Sequence, residues 1–267
     1  MSRILTDIHY TLIQFFRNRQ SVFFVFIFPI LLLIVLGLVL ESSADNINLS
    51  CMEDQVYVNI VDVNADSASG MEFLLPGILG MCIMFSSINW SMGTIARYRS
   101  TGVSRKIATT PMSGIEWNAS KIFTGVLIVV ISVALSLVAA IIIFGVRPDI
   151  NLFSILMILA GAAAFMGIGM ATAYIVEDTK TTNSIAFTIT LPLMLISGSL
   201  FPVERLPWYL QFLSALSPLT SINNGLRSSM FSGNMEYAAG NLIISLISGL
   251  VLFCVGVAII MSKEEMS

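Results

Sequence analysis

Six runs of the chain carry no Asp, Glu, Lys, Arg or His: Val22–Leu40, Phe73–Ala96, Ile122–Val146, Leu152–Val176, Thr181–Val203 and Leu242–Met261. Each holds about 20 residues or more, which at ~1.5 Å per residue is enough to cross a ~30 Å hydrocarbon layer. A backbone in lipid must pair its own polar groups, so each run is read as a helix. The ten-residue alternation of a membrane β-barrel is absent. Composition agrees: the 267 residues are 56% hydrophobic and 11% charged, where a soluble domain carries about 25% charged residues. The expected fold is all-α integral membrane, one transmembrane domain over residues 1–267 with six spans.

Lys and Arg set the expected orientation. With the N-terminus cytoplasmic, ten cations fall inside (Arg3, Arg17, Arg19, Arg97, Arg99, Arg105, Lys106, Lys121, Lys180, Lys263) and three outside (Arg147, Arg205, Arg227). The first outer loop, 41–72, then holds seven acids and no cation. The expectation is a multi-pass protein of the cell membrane with both termini cytoplasmic and with 41–72 and 204–241 extracytoplasmic. The first run is too long, and starts too late, for a cleaved signal peptide, and is read as a retained span.

Between the spans, three segments carry pattern. Residues 4–19 place Ile4, Leu5, Ile8, Leu12, Phe15 and Phe16 on one helical face, followed by Arg17 and Arg19. This reads as an amphipathic helix on the inner membrane surface, or else as a plain cytosolic extension of the first span. The alternation Val56, Val58, Ile60 suggests a short strand. Trp208–Leu216, among prolines, is too short to span and reads as a short outer re-entrant or surface helix before the last span. Within the fourth run, Ala163, Gly167 and Ala171 form a ridge of small residues for close helix packing.

Catalytic chemistry is scarce. His9 is the one histidine, the three cysteines show no pairing or metal spacing, and no G-x-x-x-x-G-K-[ST] is present to cradle ATP. The string GIGMAT lies mid-span with no strand before it, which excludes a nucleotide loop. A net charge of −3 gives no sign of nucleic-acid binding. Ion-coupled carriers keep an ionisable group at membrane depth; its absence from all six runs argues against secondary transport. No site for a cofactor or metal is expected on this chain.

The segment Arg97–Gly114, RYRSTGVSRKIATTPMSG, sets four cations and no acid between the second and third runs. It is long enough for a short helix closed by Pro111, a basic handle for a cytosolic partner. It also satisfies the charge bias alone.

This region resembles a family. Leu75-Pro76-Gly77 opening the second span, then Gly102 and Thr110-Pro111 in a basic loop, are similar to the permease subunits of ATP-binding-cassette exporters, the type-two class of drug and polysaccharide export. The series SGSLFP…LP…SPLT…R from Ser197 to Arg227 resembles the fifth span and outer re-entrant region of that class. There is a departure: Tyr98, Arg99 and Ser100 stand where many members carry an acid–Arg–acid pattern, and Arg105 where an acid is common. The partner surface is accordingly expected to be more acidic.

The resemblance implies that two permease copies, or this chain with a related one, bind two cytosolic ATP-binding-cassette ATPase subunits, which hold ATP and Mg. The N-terminal helix and a coupling segment (97–114: Arg97, Arg99, Gly102, Arg105, Lys106, Thr110, Pro111) would pass motion to the spans. A pathway at the dimer interface would be lined by the first, second and fifth spans, with Ser86, Ser87, Asn89, Ser184, Thr188, Thr190 and Ser197 as candidates. Uncharged spans with scattered hydroxyls suit a lipid-like or amphipathic cargo. The competing reading is a membrane scaffold or sensor that binds a cytosolic partner without transport.

Overall fold

The computed structural model describes residues 2–50, 67–101, 114–173, 181–200, 202–203 and 206–264. Among the described residues every regular element is helical. In order these are α1 (Ser2–Arg17), α2 (Arg19–Val22), a π-turn (Phe23–Ile27), α3 (Phe28–Ser50), α4 (Ser67–Thr101), α5 (Gly114–Phe144), α6 (Leu152–Ala173) and α7 (Thr182–Ile196). There follow α8 (Trp208–Leu216), α9 (Pro218–Arg227), a second π-turn (Ser228–Ser232) and α10 (Met235–Glu264). The expected strand at 56–60 lies outside the described residues.

Among the described residues five helical stretches are long and apolar enough to cross a membrane: Arg19–Val39, Gly70–Arg97, Ser120–Phe144, Leu152–Ala173 and Met235–Ala258. Their helices run past the apolar stretches. α3 continues to Ser50 and α4 starts at Ser67, because residues 41–50 contain no Gly or Pro to end a helix. The fifth expected run differs more. Residues 181–203 are helical only over the 15 residues of α7, or about 22 Å. The chain then turns at Gly198, whose φ of +69° is left-handed and open to glycine without a Cβ clash. Ser197, Gly198 and Ser199 are all buried, so protein covers this irregular backbone, as a membrane-level turn requires.

α4 is the core. Every residue from Leu74 to Met92 is buried, with α3, α5, α6, α7 and α9 packed around it. It is also the least apolar of the five spans, since a helix sheathed by protein has no lipid to satisfy. α3, α5 and α10 turn large side chains outward, such as Leu31, Ile142 and Leu250. α6 and α10 pack closest. A Cβ on Gly167 would overlap the Leu252–Phe253 backbone, one on Gly256 the Gly167 carbonyl, and one on Gly249 would press on Ala160. The small-residue ridge therefore runs through Ala160, Ala164 and Gly167. Ala163 and Ala171 sit half-buried beside it.

Pro29 and Pro76 lie inside the spans, and at Pro29 a side chain makes good the lost hydrogen bond. Pro29 has no N–H to give the Val25 carbonyl four residues back. The preceding turn widens to π, and Ser132 of α5 donates its hydroxyl to that carbonyl at 2.8 Å. Pro76 removes the donor for the Glu72 carbonyl, and next to it Arg227 donates to the Phe73 carbonyl at 3.3 Å.

Candidate functional site

α1 does not use its two sides as its apolar pattern suggests. Phe15 is buried, Ile8 and Leu12 are half-buried, and Tyr10, Ile13 and Phe16 face outward. A polar line, Asp7 and Thr11, one turn apart, turns inward against α5. Lys121 sends its ammonium to the Asp7 carboxylate and to the Thr11 hydroxyl, each at 2.7 Å. Ser120 donates to the same carboxylate oxygen at 2.6 Å. Thr11 in turn donates to the Asp7 backbone carbonyl at 2.6 Å. The Lys121 side chain is only 9% exposed and that of Asp7 25%. A nearly buried ammonium requires such partners.

The clamp is anchored to the core. The Trp90 indole N–H of α4 donates to the Lys121 carbonyl at 3.1 Å. Gly125, one turn on, leaves room for that indole, which a Cβ there would strike. Phe15 meets the Trp90 ring edge-on at 5.7 Å and the Phe26 ring at 6.2 Å between centroids. Four elements (α1, the first π-turn, α4 and α5) thus join at one point. That point lies in the first turns of α5, directly after the basic segment in the chain.

Beside the clamp lies a cavity of about 70 Å³, with Phe15 and Trp90 among its walls. Gln14 and Asn18 line it from the N-terminal side, Asn89, Thr94 and Arg97 from α4, and Thr182 from the start of α7.

The basic segment is only partly within the described residues. Arg97 is half-buried in the last turns of α4, and Arg99 lies on the same helix, which runs to Thr101. Cations at a helix C-terminus are favoured by its dipole, so the segment begins as a continuation of the span. Gly102, Arg105, Lys106, Thr110 and Pro111 lie outside the described residues.

The hydroxyl candidates fall into two groups. Ser86, Ser87, Asn89, Thr190 and Ser197 are buried inside the protein. Asn89, Thr190 and Ser197 bond carbonyls of their own helix, at 2.8, 2.9 and 3.1 Å. The hydroxyls of Ser86 and Ser87 have no hydrogen-bond partner. Ser184 and Thr188 are exposed on α7, with Thr188 donating to the Ser184 carbonyl at 2.9 Å. Phe24, Phe28, Phe85 and Phe187 pack the first span, α4 and α7 together, with ring centroids 5.3–6.2 Å apart.

The sequence profile of the ABC-2 type transporters matches residues 3–231, from the start of α1 to the second π-turn. The chain belongs to the ABC-2 type transporter family. No curated protein matches it. It is therefore a multi-pass membrane permease of an ATP-binding-cassette transporter, a family that normally works with a separate ATP-binding-cassette subunit.

In this ABC-2 transporter the motif strings, far apart in the chain, meet near the start of the α4 span. A Cβ on Gly77 would overlap the Ser199 carbonyl, and one on Gly80 the Asn223 side-chain oxygen. Asn223, wholly buried on α9, donates to the Ser199 hydroxyl at 2.7 Å. That hydroxyl lies 2.7 Å from the hydroxyl of Ser197. Arg227 sits 3.9 Å above the Phe73 ring, a cation–π contact. The Leu-Pro-Gly, Ser-Gly-Ser and Ser-Pro-Leu-Thr strings are thus one packed junction. Asp7 and Lys121 escaped the sequence reading, which assigned Lys121 only to the charge bias. Asp7 was the available signal: an acid one turn from Thr11, in a helix read as amphipathic with only its apolar face assigned.

Proposed function

We propose that this chain is the membrane half of an ATP-driven exporter of the cell membrane. It is read as six spans with α7 as the fifth, both termini being cytoplasmic. It works as a pair with itself or a related chain, and a cytosolic ATPase subunit binds ATP and Mg. Arg97, Arg99, Arg105 and Lys106, with Gly102, Thr110 and Pro111 shaping the loop, form the surface on which an acidic face of that subunit docks.

The observation that carries this reading is the Asp7–Lys121 clamp. A push on the coupling segment reaches Lys121 within one continuous helix. From there it passes to α1 through three short hydrogen bonds and to α4 through Trp90. Motion at the inner face is thereby delivered to an interfacial helix and to the central span together. Ser184 and Thr188 on the outward face of α7 are what a second copy meets first. The unpartnered hydroxyls of Ser86 and Ser87 are costly to bury, and they gain water or cargo when α7 moves off α4. A lipid-like or amphipathic cargo suits such a lining.

The test is the charge reversal Arg99→Glu, Arg105→Glu and Lys106→Glu. It should abolish co-purification of the ATPase while expression and monodispersity remain those of the parent. A well-expressed triple variant that keeps its ATPase would refute the docking role, and a parent with no ATPase partner would favour the scaffold reading.

A further inference from the structure

We infer that a groove along the first turns of α10 binds a primary ammonium group, supplied by the headgroup of an ethanolamine phospholipid. The site stands apart from cargo transport and from ATPase docking.

The groove holds about 500 Å³ and is lined by Asn234, Glu236, Tyr237, Gly240, Asn241 and Ile244, a volume typical of small-ligand sites. Its free polar groups are acceptors. Glu236 is the one charged residue of the six; it is exposed, and its carboxylate has no partner among the described residues. An acid in the first turn of a helix is expected from the dipole alone. Asn241 is the feature that points to a ligand. It is only 8% exposed, and its amide nitrogen donates to the Tyr237 carbonyl at 2.9 Å. A carbonyl can only accept, so this bond fixes which end of the amide is the nitrogen. The Asn241 side-chain oxygen is left at the groove without a donor, which is costly for a buried group. Asn234 is already spent, its side-chain oxygen accepting the Tyr237 N–H at 3.1 Å as a helix cap.

An ammonium answers each of these groups. It brings three N–H donors for the amide oxygen and the carboxylate, and a charge that suits the face of Tyr237, 55% exposed. Gly240, one turn past Glu236, keeps the floor open, since a Cβ there meets nothing within 4 Å. The level favours a lipid. The groove lies at the start of the apolar stretch Met235–Ala258, where headgroups meet a span. Ile243, Ile244, Ile247, Leu250 and Val251 continue outward below it, a surface for acyl chains that a free amine does not use.

Native mass spectrometry of the full chain, extracted in mild detergent, counts the lipids it holds. Dihexanoyl phosphatidylethanolamine should bind saturably, and its N-acetyl derivative, which lacks the ammonium, at least tenfold more weakly. Glu236→Gln should weaken binding of the parent lipid about tenfold. Gly240→Leu, which fills the open floor, should abolish it, with the Tm of both variants held. Free ethanolamine should compete far more weakly than the lipid. Displacement by ethanolamine at the lipid's own midpoint would uphold the ammonium site and overturn the lipid as its source. Equal binding of the N-acetyl lipid, or an unchanged midpoint in either variant, would overturn the proposal.

Discussion

Removing Asp7 should release α1 from the bundle, and the size of the effect follows from the burial of its partner. In Asp7→Ala the Lys121 ammonium, 9% exposed, keeps the Thr11 hydroxyl but loses its anion. Breaking a fully buried pair costs 3–5 kcal/mol and an exposed one 0–1. Asp7 is 25% exposed, which places this clamp between the two, at about 2–3 kcal/mol. That is a factor of about 30–150 in the docking equilibrium of α1. Lys121→Ala should cost less, about 1–2 kcal/mol, because Asp7 keeps the Ser120 hydroxyl and can take up water. The double variant strands no charge, so it should be no worse than Asp7→Ala alone, giving a coupling of about 1 kcal/mol or more. The assay is a thermal-stability cycle in nanodiscs. It is paired with spin labels at Ile13→Cys and Phe123→Cys, both exposed in the structure, on a background with the native cysteines replaced by Ala. The label distance should be narrow in the parent and in Lys121→Ala, and broad in Asp7→Ala. Strictly additive single effects, or an unbroadened distance in Asp7→Ala, would refute the clamp.

The junction near the start of the α4 span, α10 and the π-turn of the first span give three further expectations. Gly77→Ala drives a methyl into the Ser199 backbone, and overpacking of this kind costs about 1–3 kcal/mol, lowering the Tm by about 2–12 °C. Gly240→Ala on α10 meets nothing within 4 Å and should hold or raise the Tm, since Ala outranks Gly in a helix by ~1 kcal/mol. Ser132→Ala should cost about 1–3 kcal/mol in the parent by stranding the Val25 carbonyl. In a Pro29→Ala background, where the helix can pair that carbonyl itself, it should cost little. Equal costs in both backgrounds would show that the serine does not repair the proline.

What could be read from the sequence was set by length and charge. Uncharged runs gave the all-helical membrane class, because lipid admits few alternatives to a helix. The small residues near Gly167 correctly marked a close crossing, though the ridge is shifted onto Ala160 and Ala164. The extent of α7 was illegible: residues 181–203 stay apolar beyond the point where the chain turns. The stop comes from Gly198 and from the Ser199 hydroxyl, which accepts from Asn223, a partner 24 residues further on. The hydroxyl candidates separated for a similar reason. Hydropathy does not distinguish a helix facing lipid from one enclosed by five neighbours, so Ser86 and Ser184 look alike in sequence and occupy opposite environments. The clamp was hidden because its members lie 114 residues apart, and each has an adequate local explanation. The match of the family profile over residues 3–231 agrees with motifs that were each short, and whose order and spacing made them specific.

The central claim is that a separate ATPase drives this permease, and one measurement bears on it most directly. The tagged chain is extracted from its native membranes in mild detergent, with and without prior crosslinking, and the co-purifying proteins are sequenced. The account predicts a stoichiometric partner carrying G-x-x-x-x-G-K-[ST]. Recovery of no such protein, even after crosslinking, would contradict it.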